Sequence, residues 1–467
     1  MSVSRVLVAN RGEIAVRIIR ACADERVESV AIVSEADRTS MAAHLADRTV
    51  CIGPGPSPQS YLDINRVMAA ALATGCDALH PGYGFLAERP ELAEACVENG
   101  ITFIGPSADT IRRGGDKIQA RAVASSLGIP TGSGSAALDD LAAARAQAEE
   151  IGVPVLLKAA AGGGGRGMVL VNRLEDLDET FASASNEALQ AFGDGRLYVE
   201  RFVTRARHVE VQILADSQGH VVHLGERDCS AQRRYQKVVE EAPAVSIPMG
   251  VRESLHRDAV ELGKALDYVG AATVEFVVDA ASGSYAFLEV NTRVQVEHPV
   301  TELVTGIDIV REQLRIAAGK PLSVSQSDVV LTGHAVECRV NAEDPRNSFL
   351  PAPGRVTTWI PPQGGGVRVD SHVYGGYLIP PYYDSMIAKV LTLGHDRADA
   401  LNRMGRALRH LTVDGVTTTK QFLLDLVADE EFVGQQHHTR WVEQSFLPRW
   451  TRGLDQAELH VQETTAP

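Results

Sequence analysis

The sequence predicts a chain of several domains, in which a doubly wound α/β layer is followed by regions of mixed α+β structure. Three observations predict this. Short apolar runs alternate with helical patterns up to about residue 115, longer strands in hairpins continue to about residue 330, and a turn-rich segment begins near Gly333. With 467 residues, of which 45% are hydrophobic, the chain can form two or three domains with large cores.

The first region alternates strands with helices. Residues 5–9 (RVLVA), 27–34 (VESVAIVS), 77–80 (DALH) and 101–105 (ITFIG) are short apolar runs typical of buried strands, and Gly12 to Ala23 has the pattern of an amphipathic helix. This alternation predicts a parallel sheet with helices on both faces.

The central region has longer strands that pair locally. The run VPVLLKAA at 153–160 opens it, and two predicted hairpins follow, RHVEVQILAD with HVVHLGERD and ATVEFVVD with SYAFLEVN. The third region contains HAVECRVNAEDP, turn-rich stretches and the helical pattern ADALNRMGRALRHL, and the residues after Trp450 form a tail.

The composition argues against several classes of protein. The net charge is −15 with no long basic run, so a nucleic acid is not expected as the main partner. No apolar run approaches the roughly 18 residues that cross a bilayer, and the N-terminus lacks the apolar core of a signal peptide. The six cysteines are scattered without a C-x-x-C pair, which is typical of a reducing cytoplasm. We therefore expect a cytoplasmic protein that does not act in a membrane.

Four consecutive glycines follow an apolar strand in KAAAGGGGRGM, residues 158–168. Core packing does not require such a run, so it favours a loop that closes over phosphates rather than a structural turn. The loop is not a Walker A motif, because Gly-Lys-Ser/Thr is absent. Lys158, at the end of the strand, is either a solvated lysine or a phosphate ligand, and the neighbouring glycines favour phosphate.

Two carboxylates are predicted to face each other across a hairpin. If Asp279 opposes Tyr285, then Glu275 opposes Glu289, because each lies four residues further along its strand. Opposed like charges are destabilising, and a magnesium ion shared with nucleotide phosphates removes that objection. Asn291 would add a neutral oxygen ligand on the same side. The alternatives are a carboxyl with a raised pKa or an exposed pair, and a one-residue slip would remove the site.

Several motifs together point to one family. VLVANRGEIAVRIIRA, HPGYGFLAE, KAAAGGGGRGM, ERDCSAQRRYQKVVEEAP, EVNTRVQVEHPVTE and GHAVECRVNAEDP resemble biotin carboxylase, the ATP-grasp component of acetyl-CoA and related acyl-CoA carboxylases. The resemblance runs from about residue 3 to 446. It implies an N-terminal α/β (pre-ATP-grasp) domain at 1–115, an ATP-grasp domain at 116–330 with a mobile glycine-rich lid at about 131–204, a C-terminal biotin carboxylase domain at 331–448 and a tail at 449–467.

The resemblance implies a nucleotide site made of lysines, lid glycines, an adenine-contacting segment and the hairpin carboxylates. Its residues are Lys117, Lys158, Gly164, Gly165, Glu200, Arg201, Phe202, Val203, His208, Tyr235, Glu275 and Glu289. The lysines would bind phosphates, Glu200 would accept a hydrogen bond from the adenine amine, and His208 would lie near the ribose or phosphates. Tyr235 occupies a contact position that is His in some relatives. Mg²⁺ or Mn²⁺ would be held by Glu275, Glu289 and Asn291.

The implied reaction is the ATP-dependent carboxylation of biotin with bicarbonate through carboxyphosphate. Arg293 would grip the planar oxyanion bidentately. Gln295 and the backbone N–H of Val296 would add donors, and Lys237 would add a second cation. Glu297 would take the bicarbonate proton, so that a carbonate oxygen attacks the γ-phosphate.

In the second half of the implied reaction, carboxyphosphate breaks into CO2 and phosphate, and the phosphate removes the proton from N1′ of biotin. Arg339 would stabilise the enolate-like ureido oxygen. The plain alternative for Arg339 is a strand arginine paired with Glu337 or Asp344. Tyr83 and Glu88 would line the site or brace its entrance.

The stretch EVNTRVQVE at 289–297 alternates polar and mostly β-branched residues, which is typical of a strand, and a solvated edge strand is the plain explanation. At about 3.3 Å per residue a straight strand would span roughly 26 Å. That is too long for one small site, so we expect a bend just after Asn291. The first half would then hold the metal and the second half would curl round bicarbonate.

The resemblance also implies partners. The biotin-bearing sequence of carrier domains, usually Ala-Met-Lys-Met, is absent, because none of the seven methionines is followed by lysine. We therefore expect a homodimer, with biotin on a separate carrier protein or domain and with a separate carboxyltransferase subunit. One alternative is a catalytically inactive ATP-binding regulatory subunit, which would have substitutions among its catalytic residues. The other is an NAD-binding oxidoreductase, but the G-x-G-x-x-G fingerprint is missing.

Overall fold

The structure, a computed structural model, describes residues 3–132, 138, 140–160 and 167–453. The N-terminal region forms a five-stranded sheet in the order β3-β2-β1-β4-β5, and every pair in it is parallel. Its elements are β1 (Arg5–Val8), α1 (Gly12–Asp24), β2 (Glu28–Ser34), α2 (Met41–Leu45), β3 (Arg48–Gly53), α3 (Ile64–Thr74), β4 (Ala78–His80), α4 (Pro90–Glu98), β5 (Thr102–Phe103) and α5 (Ala108–Gly115). The predicted doubly wound α/β layer is therefore present.

Two loops with polar residues follow the carboxyl ends of β1 and β4, which are neighbours in this sheet. Asn10 and Arg11 follow β1, and residues 81–85 follow β4. The Asn10 side-chain amide donates to the carbonyls of Pro81 and Tyr83 at 2.7 and 2.8 Å, which fixes the two loops to each other. Ligands of open α/β sheets bind at this edge, so the loops face the position expected for a site.

The first part of the central region forms a small layer with a sheet of its own. It has a three-stranded sheet in the order β7-β6-β8 with helices packed against it. Its elements, with the helix that precedes them, are α6 (Lys117–Ser126), α7 (Leu141–Ile151), β6 (Val155–Ala159), β7 (Met168–Val171), α8 (Leu177–Phe192) and β8 (Leu197–Arg201). Asp116 caps α6 by accepting from the N–H groups of Ile118 and Gln119, which places Lys117 at the first position of that helix.

The largest sheet has eight strands in the order β13-β12-β9-β10-β11-β14-β21-β19, all paired antiparallel. The central part contributes β9 (Ala206–Ala215), β10 (Val221–Arg233), β11 (Gln236–Ala242), α9 (Met249–Ala265), β12 (Gly270–Asp279), β13 (Tyr285–Asn291), α10 (His298–Thr305) and α11 (Ile309–Ala317). The predicted hairpins are thus β9–β10 and β12–β13.

The remaining elements are β14 (His334–Asn341), β15 (Glu343–Asp344), β16 (Leu350–Pro351), β17 (Gly354–Arg355), β18 (Thr358–Ile360), β19 (Val367–Ser371), β20 (Leu378–Ile379), β21 (Met386–Gly394), α12 (Arg397–His410), β22 (Thr412–Asp414), α13 (Lys420–Ala428) and α14 (Glu430–Val433). The sheet is continuous across the third predicted region, because β14 pairs with β11. Among the described helices, none is long and apolar enough to cross a membrane.

The β12–β13 hairpin differs from the predicted register at its turn but has the predicted register at the site. Tyr285 pairs with Val278, not with Asp279. A bulge between Glu275 and Phe276 then shifts the pairing by one residue and restores Glu275 opposite Glu289. The facing carboxylates were therefore predicted correctly from a turn that was predicted incorrectly.

Candidate active site

A cavity of about 850 Å³ lies where the N-terminal loops, the small covering layer and the eight-stranded sheet meet. All the predicted site residues that the structure describes line it. They are Tyr83, Lys117, Lys158, Glu200, Arg201, Phe202, Val203, His208, Tyr235, Lys237, Glu275, Glu289, Asn291, Arg293, Gln295, Val296, Glu297 and Arg339. Gly164 and Gly165 lie outside the described residues.

Residues of β6 and β8 that the sequence predicted for nucleotide binding line one part of this cavity. Lys158 and Arg121 both form ion pairs with Glu200, and Lys158 lies opposite Tyr198 on β8. Burial alone would raise the pKa of Glu200, but the two cations outweigh it and lower that pKa. An anionic ligand that binds Lys158 would therefore remove one of the two cations from Glu200 and leave it paired with Arg121.

Phe202 and Tyr235, two further residues that the sequence predicted for nucleotide binding, also line the cavity. The Phe202 ring packs under the Arg440 guanidinium, with the guanidinium carbon 5.4 Å from the ring centroid. Tyr235 lies in the tight turn between β10 and β11 with a positive φ of 63°. Its side chain is 54% exposed, so it stands at the rim of the cavity.

The metal-ligand types predicted for the hairpin are present in one place. Glu289 pairs with Lys117 at 3.1 Å, and Glu275 pairs with His208 at 3.0 Å and with Lys237 at 3.1 Å. Burial raises the pKa of Glu275, but Lys237 and His208 outweigh it and hold that pKa well below its ordinary value. The hairpin thus offers the oxygens of Glu275, Glu289 and Asn291, a donor set that fits Mg²⁺ once Lys117, Lys237 and His208 no longer occupy the carboxylates.

The strand ends where the bend was predicted. β13 stops at Asn291, residues 292–297 have no regular structure, and α10 begins at His298. Arg293, the first side chain of this loop to face the cavity, is held by Glu88 at 2.9 Å and donates to the Asn291 amide oxygen at 3.0 Å. Glu88, which was predicted to line the site or brace its entrance, therefore contacts a residue of the cavity wall.

Glu297 lies between two cations at the start of α10. Its carboxylate contacts the Lys237 ammonium through one oxygen and the Arg339 guanidinium, at 2.9 Å, through the other. Burial alone would raise the pKa of Glu297, but Lys237, Arg339 and Arg227 outweigh it and hold that pKa well below its ordinary value. The carboxylate is therefore ionised at neutral pH and available as a base.

Arg339 was alternatively expected to be a strand arginine paired with Glu337 or Asp344, and in the described part of the chain it pairs with neither. Its guanidinium contacts Glu240 at 2.5 Å and Glu297 at 2.9 Å, whereas no ion pair joins it to Glu337 or Asp344 among the contacts of the described chain. Tyr83 lines the same cavity and donates its hydroxyl to Glu13.

Several residues of the site were missed from sequence alone. Arg227, which is 0% exposed in its side chain, donates to Glu210 at 2.7 Å and to the Gln295 side-chain oxygen at 3.0 Å. Glu210 in turn accepts from Lys237 at 2.5 Å, and the Gln295 amide donates to Glu275 at 2.9 Å. The sequence held one signal for Glu210, its two-residue spacing from His208 along β9, which puts both on one face.

Lys389 is a further missed residue. It lies on β21 with no exposed surface, pairs with Glu13 at 3.1 Å and donates to the Val296 carbonyl at 2.8 Å. This contact fixes the loop that carries Val296 against the C-terminal region. Nothing in the alternating apolar pattern of β21 distinguishes Lys389 from a solvated strand lysine.

Family models match nearly the whole chain in three consecutive parts. They are "Biotin carboxylase, N-terminal domain" over residues 2–111, "Carbamoyl-phosphate synthase L chain, ATP binding domain" over residues 116–325 and "Biotin carboxylase C-terminal domain" over residues 337–444. The chain is 52% identical over 430 residues to a biotin carboxylase of Pseudomonas aeruginosa, covering 92% of this chain and 95% of the relative. It is 48% identical over 445 residues to a biotin carboxylase of Nostoc sp., covering 95% and 99%.

Solved structures agree with the sequence relatives. The chain matches the Campylobacter jejuni biotin carboxylase–β-γ-ATP complex with a TM-score of 0.91 and 44% identity, covering 94% of this chain and 98% of that one. It matches the biotin carboxylase domain dimer of Hydrogenobacter thermophilus 2-oxoglutarate carboxylase, bound to MgADP, ADP and bicarbonate, with a TM-score of 0.90 and 45% identity, covering 95% and 98%. The chain therefore belongs to the biotin carboxylase family and is an ATP-dependent ligase that carboxylates biotin.

Proposed function

We propose that this chain carries out both steps of biotin carboxylation in the large cavity, with Glu297 as the general base. The observation that carries the proposal is the position of its ionised carboxylate, which lies between Lys237 and Arg339 and lines the cavity. An inactive ATP-binding subunit would have lost such residues, and Lys237, Arg293, Glu297 and Arg339 are all in place.

ATP would bind with its phosphates on Lys117 and Lys158 and its adenine against residues 200–203. Glu275, Glu289 and Asn291 would hold Mg²⁺ or Mn²⁺, which when bound offsets charge on the phosphates. Lys117 pairs with Glu289, so a phosphate can take over Lys117 while the metal takes over Glu289, and neither charge is left without a partner.

Bicarbonate would lie against Arg293, with the Gln295 side chain, the Val296 N–H and Lys237 as further donors. Glu297 takes the bicarbonate proton, and the carbonate oxygen forms a bond to the γ-phosphorus while the bond to ADP breaks. The products of this step are carboxyphosphate and ADP. Arg227 donates to the Gln295 side chain and Lys389 donates to the Val296 carbonyl, and these contacts fix the loop 292–297 that would hold bicarbonate.

In the second step carboxyphosphate breaks into CO2 and phosphate. The phosphate takes the N1′ proton of biotin, and N1′ forms the new bond to CO2. Arg339 is positioned to stabilise negative charge on the ureido oxygen, since a guanidinium presents several N–H donors to an oxyanion. Tyr83, which lines the same cavity, would lie near biotin.

Biotin is proposed to arrive on a separate carrier protein or domain, and a separate carboxyltransferase subunit is proposed to use the carboxybiotin. One relative, from Methanothermobacter thermautotrophicus, is named as one of the subunits of pyruvate carboxylase, which supports such a division. A homodimer is proposed from the dimer of the Hydrogenobacter thermophilus domain. We also propose the division at residues 115, 330 and 448, and a cytoplasmic location, for which the six free cysteines are suited.

The direct test of this function is bicarbonate-dependent ATP hydrolysis that free biotin stimulates. We expect phosphate release to require bicarbonate and to rise when biotin is added. Tight ATP binding with a rate that responds to neither substrate would instead support the regulatory role.

The Glu289→Gln variant tests the metal site. We expect it to weaken MgATP binding by roughly 10-fold or more, as the loss of one charged contact does, while metal-free ATP binds as in the wild type. Calorimetry with and without Mg²⁺ measures both affinities. Glu261→Gln, which removes an exposed carboxylate on α9 paired with Lys264, is the control. Equal weakening with and without Mg²⁺ would place Glu289 outside the metal site.

A further inference from the structure

Arg339 lies between two carboxylates of the described chain, one of which lines the cavity while the other does not. Its guanidinium is 2.5 Å from a Glu240 oxygen and 2.9 Å from a Glu297 oxygen. Arg339 and Glu297 line the cavity, whereas Glu240, with no exposed surface, is not among the described residues that line it. Glu240 therefore holds the guanidinium from outside the reacting space, and Glu297 holds it from inside.

A second buried carboxyl lies directly opposite Glu240. Glu337 on β14 pairs with Glu240 on β11 in the sheet, and both side chains are 0% exposed. In the described part of the chain, one Glu240 oxygen and both Glu337 oxygens have no hydrogen-bond partner. Cross-strand neighbours of this kind have Cβ atoms roughly 5 Å apart. A proton held between the two carboxyls supplies a donor and removes the repulsion of two buried charges.

The groups around this pair come from five elements. They are Lys237 on β11, Cys229 on β10, Arg339 and Cys338 on β14, Lys389 on β21 and Glu297 at the start of α10. Burial raises the pKa of Glu240 to about 7, against the lowering effect of Arg339 and with a further increase from Glu297. Burial also raises the pKa of Glu337 well above its ordinary value, although Lys389 opposes the change. Glu240 is thus the member of the pair that changes charge near neutral pH.

We propose that Glu240 is a positioning residue for Arg339, and that proton uptake by the Glu240–Glu337 pair releases the guanidinium towards Glu297. The proposal rests on the role given above to Arg339 at the biotin ureido oxygen. When Glu240 is ionised, two carboxylates share Arg339, and its remaining N–H groups stay open to the cavity. When Glu240 is neutral, the ionic attraction of Glu297 is unopposed and draws the guanidinium away from biotin. The switch moves one proton from solvent to Glu240 and changes no covalent bond.

The test uses the ratio of ATP hydrolysis with free biotin to that without it, both with bicarbonate, between about pH 6 and about pH 9. Groups that act only on ATP or bicarbonate affect both rates equally, so their pH dependence cancels in the ratio. The pKa of Glu240 is raised, so the carboxylate forms as the pH rises through about 7. We expect the wild-type ratio to rise through this pH by roughly tenfold, the effect of one charge-assisted hydrogen bond. Glu240→Gln should stay flat at the low-pH value, whereas a general loss of structure would lower both rates together.

Glu337→Leu is the second variant, because it removes the neutral carboxyl that can donate a hydrogen bond to ionised Glu240. We expect the midpoint of the ratio to move to higher pH. The proposal is overturned if Glu240→Gln follows the wild-type profile or if Glu337→Leu leaves the midpoint unchanged. Arg339→Met separates this proposal from the proposed function. If that variant keeps biotin stimulation, the role of Arg339 itself is wrong, and if only the Glu240 variant behaves as wild type, the positioning role alone is wrong.

Discussion

Replacing Glu297 by Gln is expected to reduce bicarbonate-dependent ATP hydrolysis by ~10²–10⁴-fold, the range for loss of a general base. The amide keeps the size of the side chain and an acceptor oxygen for Arg339, but it cannot take a proton at neutral pH. In the wild type Lys237 and Arg339 overcome the effect of burial and keep the pKa of Glu297 low, so the base is fully ionised. ATP affinity should stay nearly unchanged, because neither of these partners belongs to the proposed nucleotide set.

The measurement is phosphate release with and without bicarbonate, together with ATP affinity by calorimetry. Glu312→Gln is the matched control, because Glu312 is 5% exposed on α11 and its carboxylate accepts from Ser323 away from the cavity. That variant should keep its bicarbonate-dependent rate. A Glu297→Gln rate within about tenfold of the wild type would be too high for a missing general base.

Replacing Lys237 by Met is expected to cost about 3–5 kcal/mol of unfolding free energy near pH 7, besides abolishing activity. Lys237 contacts three buried carboxylates, those of Glu210, Glu275 and Glu297, and methionine leaves them with less compensation. Such a loss is larger than that of a surface ion pair, because water cannot take over the role of the ammonium.

The pH dependence of this loss follows from the same pKa shifts. The pKa values of Glu275 and Glu297 in the folded wild type lie well below their ordinary value. Their stabilisation is therefore complete above about pH 4.3 and is lost as the pH falls through the folded pKa values. In the variant without Lys237 these carboxyls take up protons at higher pH than in the wild type, so the difference in stability should narrow as the pH falls through the folded pKa values of the variant.

Denaturant unfolding at several pH values tests this expectation. Lys264→Met on α9 is the control, because it removes an ammonium from a pair that is half exposed and should change stability little. A destabilisation by Lys237→Met that does not depend on pH would show that lost packing, and not uncompensated charge, is its cause.

The sequence contained much of the fold because its patterns are local. Periodicity predicted four of the five strands of the parallel layer and both hairpins, whereas β3 and the strand order were not predicted. The β12–β13 register shows the limit of such reasoning. The bulge between Glu275 and Phe276 depends on packing across the sheet, so the pairing of Glu275 with Glu289 was obtained only because two one-residue errors cancelled.

The predicted site residues that the structure describes meet in one cavity, but the residues that hold them in place could not be predicted. Glu240, Arg227 and Lys389 act through buried contacts between strands far apart in sequence. In a sequence each of them has the plain interpretation of a charged group on a solvated face. Only the tertiary structure shows that each is buried and bound to a functional residue.

In the proposed first step, Glu297 takes the bicarbonate proton and a carbonate oxygen attacks the γ-phosphate. The most direct measurement follows ¹⁸O from labelled bicarbonate into the phosphate released with biotin present. The mechanism predicts that one labelled oxygen passes to phosphate at each turnover, because the attacking oxygen stays on phosphorus when carboxyphosphate breaks. Phosphate that takes its new oxygen from unlabelled water would contradict this mechanism, since water and not carbonate would then be the nucleophile.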